Sequence, residues 1–237
     1  MQSSLVVTLG LGFVLGLKHA TEADHLAAVS TIVSERRSIW DSAIVGSIWG
    51  LGHTISLFIA GLFIIVLGVV IPERVANYLE LGVALMIIGL GSRVLYLALR
   101  GQTKVHVHTH THGGSPHVHL HFHDSVDGHV VTSTHEGSHS GFSGWRPFLV
   151  GTVHGLAGSA ALTLLVLTDV MRTGTAVLGL AYLLVFGIGS IGGMLIMSCL
   201  IALPFRFGSR PAMLRILTGA ASTAFGLFYA SKIFIKL

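Results

Sequence analysis

Charged residues are scarce in this chain. Only 14 lysines and arginines and 10 aspartates and glutamates occur among 237 residues, so charged side chains make up 10% of the sequence, whereas soluble domains carry about 25%. The sequence pI is near 9.6, but the basic residues are too few to line a track for nucleic-acid phosphates. The composition therefore excludes a disordered or nucleic-acid-binding protein and argues against an ordinary soluble enzyme.

Cysteine is almost absent as well. The single cysteine, Cys199, lies in an apolar run, which excludes a disulfide framework and a CxxC redox pair because each needs two thiols. The first charged residue is Lys18. No basic region precedes the first apolar stretch, so we expect no cleaved signal peptide.

The chain contains several long apolar runs. The mean hydropathy is +0.79 and 52% of the residues are hydrophobic. Each run is long enough to cross a bilayer as a helix, and lipid offers no partner to an unpaired backbone group. The sequence therefore predicts an all-α integral membrane protein with six transmembrane helices: Leu5–Val33, Trp40–Ile71, Val75–Leu99, Phe148–Thr168, Ala176–Leu203 and Ala212–Ile235.

Three pairs of glycine motifs recur in the same order in the two halves, at a nearly constant offset along the chain. Gly16-x-x-His19 matches Gly151-x-x-His154. Two further pairs share one identical offset: Gly50-Leu51-Gly52-His53 with Gly187-Ile188-Gly189-Ser190, and Gly82 and Gly89 with Gly219 and Gly226. A repeat of three spans has odd parity, so its second copy crosses the membrane upside down. The pattern predicts two inverted three-helix repeats, which are typical of transporters.

The segment from Lys18 to His25 places ionisable residues inside the first apolar run. The apolar residues before it form roughly 20 Å of helix, against a hydrocarbon core of about 30 Å. Ionisable groups at such depth cost a few kcal/mol each and usually mark a pathway or a site. The alternative is a helix that ends at Lys18, followed by an interfacial polar turn. The side chains of His19, Glu22, Asp24 and His25 point in different directions on a regular helix. Either the helix is therefore locally unwound or only some of these residues are ligands.

Two more histidines, His53 and His154, lie within predicted spans. Each by itself fits a histidine bonded to a neighbouring carbonyl as well as a metal ligand. Together with the polar segment they form a set of imidazoles and carboxylates without a thiolate, which suits nickel, cobalt, zinc or manganese better than copper(I). We predict these metal ligands, the last two as second choices: His19, Asp24, His25, His53, Glu22 and His154.

The loop between the third and fourth spans contains eleven histidines within residues 100–146. Glycine, serine and threonine fill much of the remainder, so we expect a flexible segment without a core. The chain then divides into a first three-helix repeat (1–103), a His-rich loop (104–145) and a second three-helix repeat (146–237). The alternative to metal capture is a solvated linker. We predict metal capture by His106, His108, His110, His112, His117, His119, His121 and His123.

The polar segment resembles a known signature. His-Ala-Thr-Glu-Ala-Asp-His-Leu, from His19 to Leu26, is similar to the His-Ala-x-Asp-Ala-Asp-His-Ile motif of the nickel/cobalt transporter family, with Glu22 in place of the family's aspartate. Residues 48–54, Ile-Trp-Gly-Leu-Gly-His-Thr, resemble that family's second motif, and the flanking sequence resembles its UreH-like six-span branch. The second half lacks the Asp-Thr-rich motifs of the longer permeases and has the segment starting at His154 instead.

The residues and the resemblance together predict a transporter of a divalent transition metal, nickel or cobalt, as substrate and without a cofactor. The resemblance favours uptake and implies a cytoplasmic nickel-enzyme maturation system as partner, beside the bilayer and the metal ions. An intramembrane metalloenzyme would need a motif such as HExxH, which the sequence lacks. The remaining alternative is a membrane-anchored metal sensor or accessory protein that works through the His-rich loop.

The distribution of basic residues predicts the orientation in the cell membrane. One set of loops holds eight lysines and arginines: Arg36, Arg37, Arg100, Lys104, Arg146, Arg206, Arg210 and Arg215. The opposite side holds four: Arg74, Arg172, Lys232 and Lys236. Basic loops stay in the cytoplasm, which puts the His-rich loop inside and both termini outside.

Reporter fusions test this orientation. A fusion within the His-rich loop should report the cytoplasm, and a fusion at the C-terminus should report the outside. A cytoplasmic C-terminus would overturn both the orientation and the even number of spans.

Overall fold

The computed structural model describes residues 2–36, 38–67, 72–100, 104–112, 115–123, 145–157, 175–208 and 211–237. In these ranges the chain forms helices and one two-stranded ribbon. The helices are α1 (Gln2–His19), α2 (Ala23–Ser34), α3 (Ile39–Leu67), α4 (Glu73–Leu99), α5 (Trp145–Ala157), α6 (Ala176–Phe207) and α7 (Pro211–Phe234). The strands are β1 (Lys104–His112) and β2 (Ser115–His123).

Local chemistry explains where several helices begin. The Ser38 hydroxyl accepts a hydrogen bond from the Trp40 amide (3.1 Å) at the start of α3, and Thr175 caps α6 by accepting from the Leu178 amide (3.4 Å). Such side-chain oxygens satisfy amides that have no partner in the first turn. Pro72 immediately precedes α4, and Pro211 is the first residue of α7, where a proline's missing amide and fixed φ are tolerated.

Among the described residues, four helices are long and apolar enough to cross a membrane: Ile39–Phe63, Glu73–Leu99, Ala176–Phe207 and Pro211–Phe234. They match the second, third, fifth and sixth predicted spans. Val6–His19 is a shorter apolar helix. The fourth predicted span is described only to Ala157, and its remainder lies outside the described residues. The outer faces carry large apolar side chains that are more than half exposed, among them Phe63, Leu85 and Leu184. This is the surface of a membrane protein.

The first predicted span, Leu5–Val33, is not one continuous helix. α1 ends at His19 and α2 begins at Ala23. The amides of Thr21 and Glu22 bond to the carbonyls of Lys18 (2.9 Å) and His19 (3.0 Å), which tightens the last turn of α1, and Glu22 then adopts an extended conformation (φ −66°, ψ 150°). Local unwinding, which is one of the alternatives that the sequence leaves open, is therefore observed.

Glycines allow the central helices to pack closely. α3 packs against α6, while α1 packs on α6 and α5 packs on α3. Where α1 packs on α6, Gly16 lies against the backbone of Phe186 and Ser190. Where α5 packs on α3, Gly151 lies against the Trp49 backbone. Small residues at such crossings are how membrane helices approach without a hydrophobic driving force.

α2 packs against α4, α6 and α7, and α4 and α7 form a closely packed pair. Two arginines hold the C-terminal end of α2. Arg93 of α4 forms an ion pair with Glu35, and the Arg215 side chain of α7 donates to the Ser34 carbonyl (3.0 Å). Positive groups at this end also complement the helix dipole. The short helix that follows the break is therefore fixed at its far end.

The His-rich loop contains more regular structure than the flexible segment that we expect from its composition. β1 and β2 form an antiparallel ribbon in which His106 pairs with His121, His108 with His119, and His110 with His117. Alternation of histidine with Val, Thr, Leu and Phe gives the two-residue period of a strand, and these residue types favour strands. The prediction from composition overlooked this alternation.

A pair of substitutions in α1 tests the close packing. In Gly16→Ala the added methyl would lie 2.9 Å from the Ser190 amide nitrogen and 3.0 Å from the Phe186 carbonyl carbon, whereas nothing lies within 4 Å of the same position at Gly10. Overpacking of this kind costs about 1–3 kcal/mol. Unfolding of the purified protein in detergent should therefore show destabilisation by Gly16→Ala and none by Gly10→Ala. Equal stabilities would contradict the packing described here.

Candidate metal centre

The break between α1 and α2 brings four polar residues to one place. His19 is the last residue of α1, Glu22 lies in the break, and Asp24 and His25 are in the first turn of α2. A continuous helix would spread these side chains around its axis. The extended conformation at Glu22 changes the direction of the chain, so the end of α1 and the start of α2 face a common interior.

Two other helices complete the cluster. His53 is the central residue of α3, and His154 comes from the last turn of α5. His25, His53 and His154 are fully buried and His19 is 3% exposed. Gly155 lies against the His53 backbone and the Ser56 side chain, so the absence of a side chain at this position lets α5 bring His154 close to α3.

One chain of contacts runs from Glu22 to α3. The Glu22 carboxylate lies 3.2 Å from Nδ1 of His19, and Nε2 of His19 lies 3.1 Å from Nε2 of His53. The glutamate therefore orients the His19 ring so that its other nitrogen faces His53. A carboxylate behind a histidine is the usual arrangement at protein metal sites, where it fixes the ring and raises its basicity.

A second set of contacts converges on Asp24. One carboxylate oxygen accepts from Nδ1 of His25 (2.9 Å), and the other accepts from Nε2 of His154 (3.0 Å). Asp24 thus joins α2 to α5. A buried carboxylate needs such partners because an isolated charge in an apolar interior is very unfavourable.

Two aromatic rings close the cluster. Trp49 of α3 lies 5.5 Å from the His25 ring and 5.7 Å from the His154 ring, centre to centre. Phe186 of α6 lies 5.6 Å from the His19 ring. These rings limit the space around the imidazoles and exclude solvent from them, which strengthens every electrostatic interaction inside.

Three imidazole nitrogens in this cluster have no hydrogen-bond partner: Nε2 of His25, Nδ1 of His53 and Nδ1 of His154. The other nitrogen of each ring is engaged by a neighbour, and Asp24 can only accept from His25 and His154. In the neutral form of those two rings the unpartnered atoms are bare lone pairs. Buried polar atoms are nearly always satisfied, and a divalent cation would satisfy lone pairs of this kind.

The spacing of the ligand atoms suits a transition-metal ion. His19, His25 and His53 form one group of three, and Asp24, His25 and His154 form another, with ligand atoms within 4.8 Å of one another in each group. Two nitrogens bound to one ion at about 2.0–2.1 Å, as in zinc–imidazole sites, lie about 3 Å apart when the bonds are nearly perpendicular. The 3.1 Å between His19 and His53 fits this geometry.

The structure brings all six intramembrane candidates into one cluster, including the second choices Glu22 and His154. Their role as metal ligands stays a prediction. The eight loop histidines predicted to capture metal lie in the β1–β2 ribbon, where six of them pair with one another in its register, and metal capture by them also stays a prediction.

The sequence reasoning missed Trp49 and Phe186 as residues of the site. Trp49 directly precedes the repeat motif that starts at Gly50, and Phe186 directly precedes the matching motif that starts at Gly187. The two aromatic residues therefore occupy matching positions of the predicted repeat, and this match was the available signal.

Known proteins are similar to this chain in sequence, one of them over nearly the whole length of both chains. A family model described as NicO, high-affinity nickel-transport protein, matches residues 5–206. The chain is 37% identical over 233 residues to the urease accessory protein UreH of Bacillus sp. (strain TB-90), covering 96% of this chain and 92% of that protein. It is 33% identical over 79 residues to a high-affinity nickel transport protein of Cupriavidus necator, covering 33% of this chain and 22% of that protein. No solved structure gives a significant match.

Asp24→Asn tests the centre directly. The amide keeps the shape but loses the charge, and it can no longer accept hydrogen bonds at both ends. Loss of a group that orients or binds at a metal site lowers affinity about 10–100-fold, and equilibrium dialysis of nickel against purified protein that lacks residues 105–140, whose histidines would bind further ions, should show a decrease of this size. Asp41→Asn, at an exposed aspartate in the first turn of α3, is the matched control. Equal affinities of the two variants would rule out Asp24 as part of a metal centre.

Proposed function

The chain belongs to the NicO family of high-affinity nickel-transport proteins, and we propose that it carries nickel across the membrane through the cluster at the α1–α2 break. The family predicted from the signature is thereby confirmed, and it is a family of transporters rather than enzymes. The observation that carries the proposal is the convergence of four buried histidines and Asp24 around the central residue of a membrane-crossing helix. Ionisable groups at this depth are expensive and serve ion pathways.

The ligand chemistry is compatible with nickel, the metal named for the family. The cluster offers imidazole nitrogens and carboxylate oxygens, which suit borderline divalent ions, and it offers no thiolate or thioether of the kind that selects copper(I). Cobalt has nearly the same preferences and is the second candidate substrate. The two carboxylates, Asp24 and Glu22, balance the charge of a divalent ion, so the loaded site is close to neutral.

We infer six spans in two inverted repeats. Equivalent contacts in the two halves support this inference. Gly16 lies against Phe186, and its repeat equivalent Gly151 lies against Trp49, the repeat equivalent of Phe186. In the same way, Gly52 lies against Phe148, and Gly189 lies against Phe13. Exchanging the two halves maps each contact onto the other.

The ring contacts of the centre obey the same exchange. His19 packs against Phe186, and His154 packs against Trp49. Each histidine of the first helix of a repeat therefore faces an aromatic residue from the second helix of the other repeat. Inverted-repeat transporters bind their substrate where the two halves meet, and His19 and His154 lie at that position.

We propose that the chain lies in the cell membrane with the His-rich loop in the cytoplasm and both termini outside, as the distribution of basic residues favours. The direction of transport is uptake. The relative that matches nearly the whole chain is named a urease accessory protein, and nickel imported by this chain would supply a cytoplasmic system that matures a nickel enzyme.

The ribbon in the loop would capture metal on the cytoplasmic side. Its register pairs three histidines of β1 with three of β2, and residues directly opposite in an antiparallel ribbon have their Cβ atoms about 4.5–5.5 Å apart. Such cross-strand pairs are suitable for binding ions weakly and releasing them quickly. The alternative function, a sensor anchored by the helices, gives no reason for a buried polar cluster between them.

Transport by reconstituted protein separates the pathway from the loop. Purified protein in proteoliposomes should carry nickel. Deleting residues 105–140 should change the apparent affinity while the preference for nickel over zinc stays. His53→Asn should change rate or selectivity with the loop present, because an amide keeps the polarity and approximate size but is a poor nickel ligand.

Protein-free liposomes give the background for this assay, and size-exclusion chromatography checks that both variants remain folded. Loss of transport on loop deletion together with wild-type transport by His53→Asn would move the working site out of the membrane. Absence of nickel transport by the wild-type protein would reject the proposed function itself.

A further inference from the structure

His25 belongs to both groups of three ligands. It joins His19 and His53 in the first group, and Asp24 and His154 in the second. On the basis of the proposed transport function, we propose that the ion occupies two successive three-ligand positions that share His25. Position one is formed by His19, His25 and His53, and position two by Asp24, His25 and His154.

Ring distances place His25 between the two positions. Its ring centre lies 4.3 Å from that of His19 and 4.1 Å from that of His154. The His53 and His154 rings are farther apart, at 6.1 Å. Within the part of the chain that the structure describes, the candidate metal-binding groups do not combine His53 with His154. The cluster is therefore better described as two overlapping positions than as one site with all ligands around a single point.

The two positions differ in charge and in access. Position one consists of imidazoles, and the carboxylate behind it, Glu22, is 43% exposed. Position two contains the carboxylate of Asp24, whose side chain is 12% exposed, and the fully buried His154. Glu22 is thus the exposed group through which an ion reaches position one.

A shared ligand makes movement between the positions possible. An ion in a membrane interior cannot lose its ligands all at once, because an unsolvated charge is very unfavourable there. His25 remains bound while His19 and His53 are exchanged for Asp24 and His154. Conduction requires sites that are favourable enough to enter and weak or multiple enough to leave, and two adjacent three-ligand positions meet both conditions.

The two positions each contain one of the two histidines, His19 and His154, that match each other in the repeat. His19 and His154 occupy matching places in the first helices of the two repeats, and they belong to different positions. The residue equivalent to His53 is Ser190, whose hydroxyl instead donates to the Gly16 carbonyl (3.4 Å). The two repeats therefore contribute similar backbone positions to the cluster but different side chains.

Nickel binding to single variants tests the two positions. The reference protein is the full-length chain with its eleven loop histidines changed to serine, which leaves the four intramembrane histidines. His53→Ala removes a ligand from position one only, His154→Ala from position two only, and His25→Ala from both. Equilibrium dialysis with nickel chloride in detergent gives the affinity, and nickel flux into proteoliposomes gives the rate.

The observed association constant for two mutually exclusive positions is the sum of their constants, so at least one of His53→Ala and His154→Ala must retain an affinity within about twofold of the reference. Both should lose flux, because the ion must pass through both positions. His25→Ala should lower the affinity about 100-fold, as the loss of a metal ligand can.

Two results would overturn the proposal. If His53→Ala and His154→Ala each lowered the affinity as much as His25→Ala, all the ligands would bind one ion at one point. If His25→Ala bound nickel like the reference, the shared ligand would be wrong. Asparagine variants replace any alanine variant that does not fold. A reference protein that binds nickel but carries none into proteoliposomes would reject the proposed function and leave the binding result to decide the two positions.

Discussion

The rest of the structure depends on the interruption of the first predicted span between His19 and Ala23. A continuous helix satisfies its own backbone but cannot direct His19, Asp24 and His25 to one point. The interruption removes a few backbone hydrogen bonds from α1 and α2, and the side chains that it reorients satisfy one another. In membrane proteins irregular backbone is tolerated only where protein or a water-filled cavity surrounds it, and here α3 and α5 supply His53 and His154 at the same place.

Close helix packing is the second requirement of the centre. The His154 ring reaches Asp24 because Gly151 and Gly155 bring α5 against the backbone of α3. Gly16 and Gly189 have the corresponding role between α1 and α6. A side chain at any of these positions would displace a helix that carries or supports a ligand. These glycines therefore determine where the candidate ligands lie relative to one another.

The residues of the cluster and most of the helices could be predicted from the sequence, because long apolar runs and the charged residues within them are local properties. The partnership of Asp24 with His154 could not, since it depends on how two helices far apart in the chain cross in space. Helix geometry shows that a regular helix cannot direct His19, Glu22, Asp24 and His25 to one ion, but it leaves open whether the helix unwinds or only some of these residues are ligands. The β1–β2 ribbon was missed because composition was given more weight than the two-residue alternation of His106 to His112.

The central claim is that the intramembrane cluster, and not the His-rich loop, binds the ion that crosses the membrane. X-ray absorption at the nickel edge on protein lacking residues 105–140 and loaded with one equivalent of nickel tests it most directly. The account predicts a bound ion surrounded by imidazole nitrogens and a carboxylate oxygen, without sulfur. A loop-deleted protein that is folded yet retains no nickel, while the full chain retains it, would contradict the account.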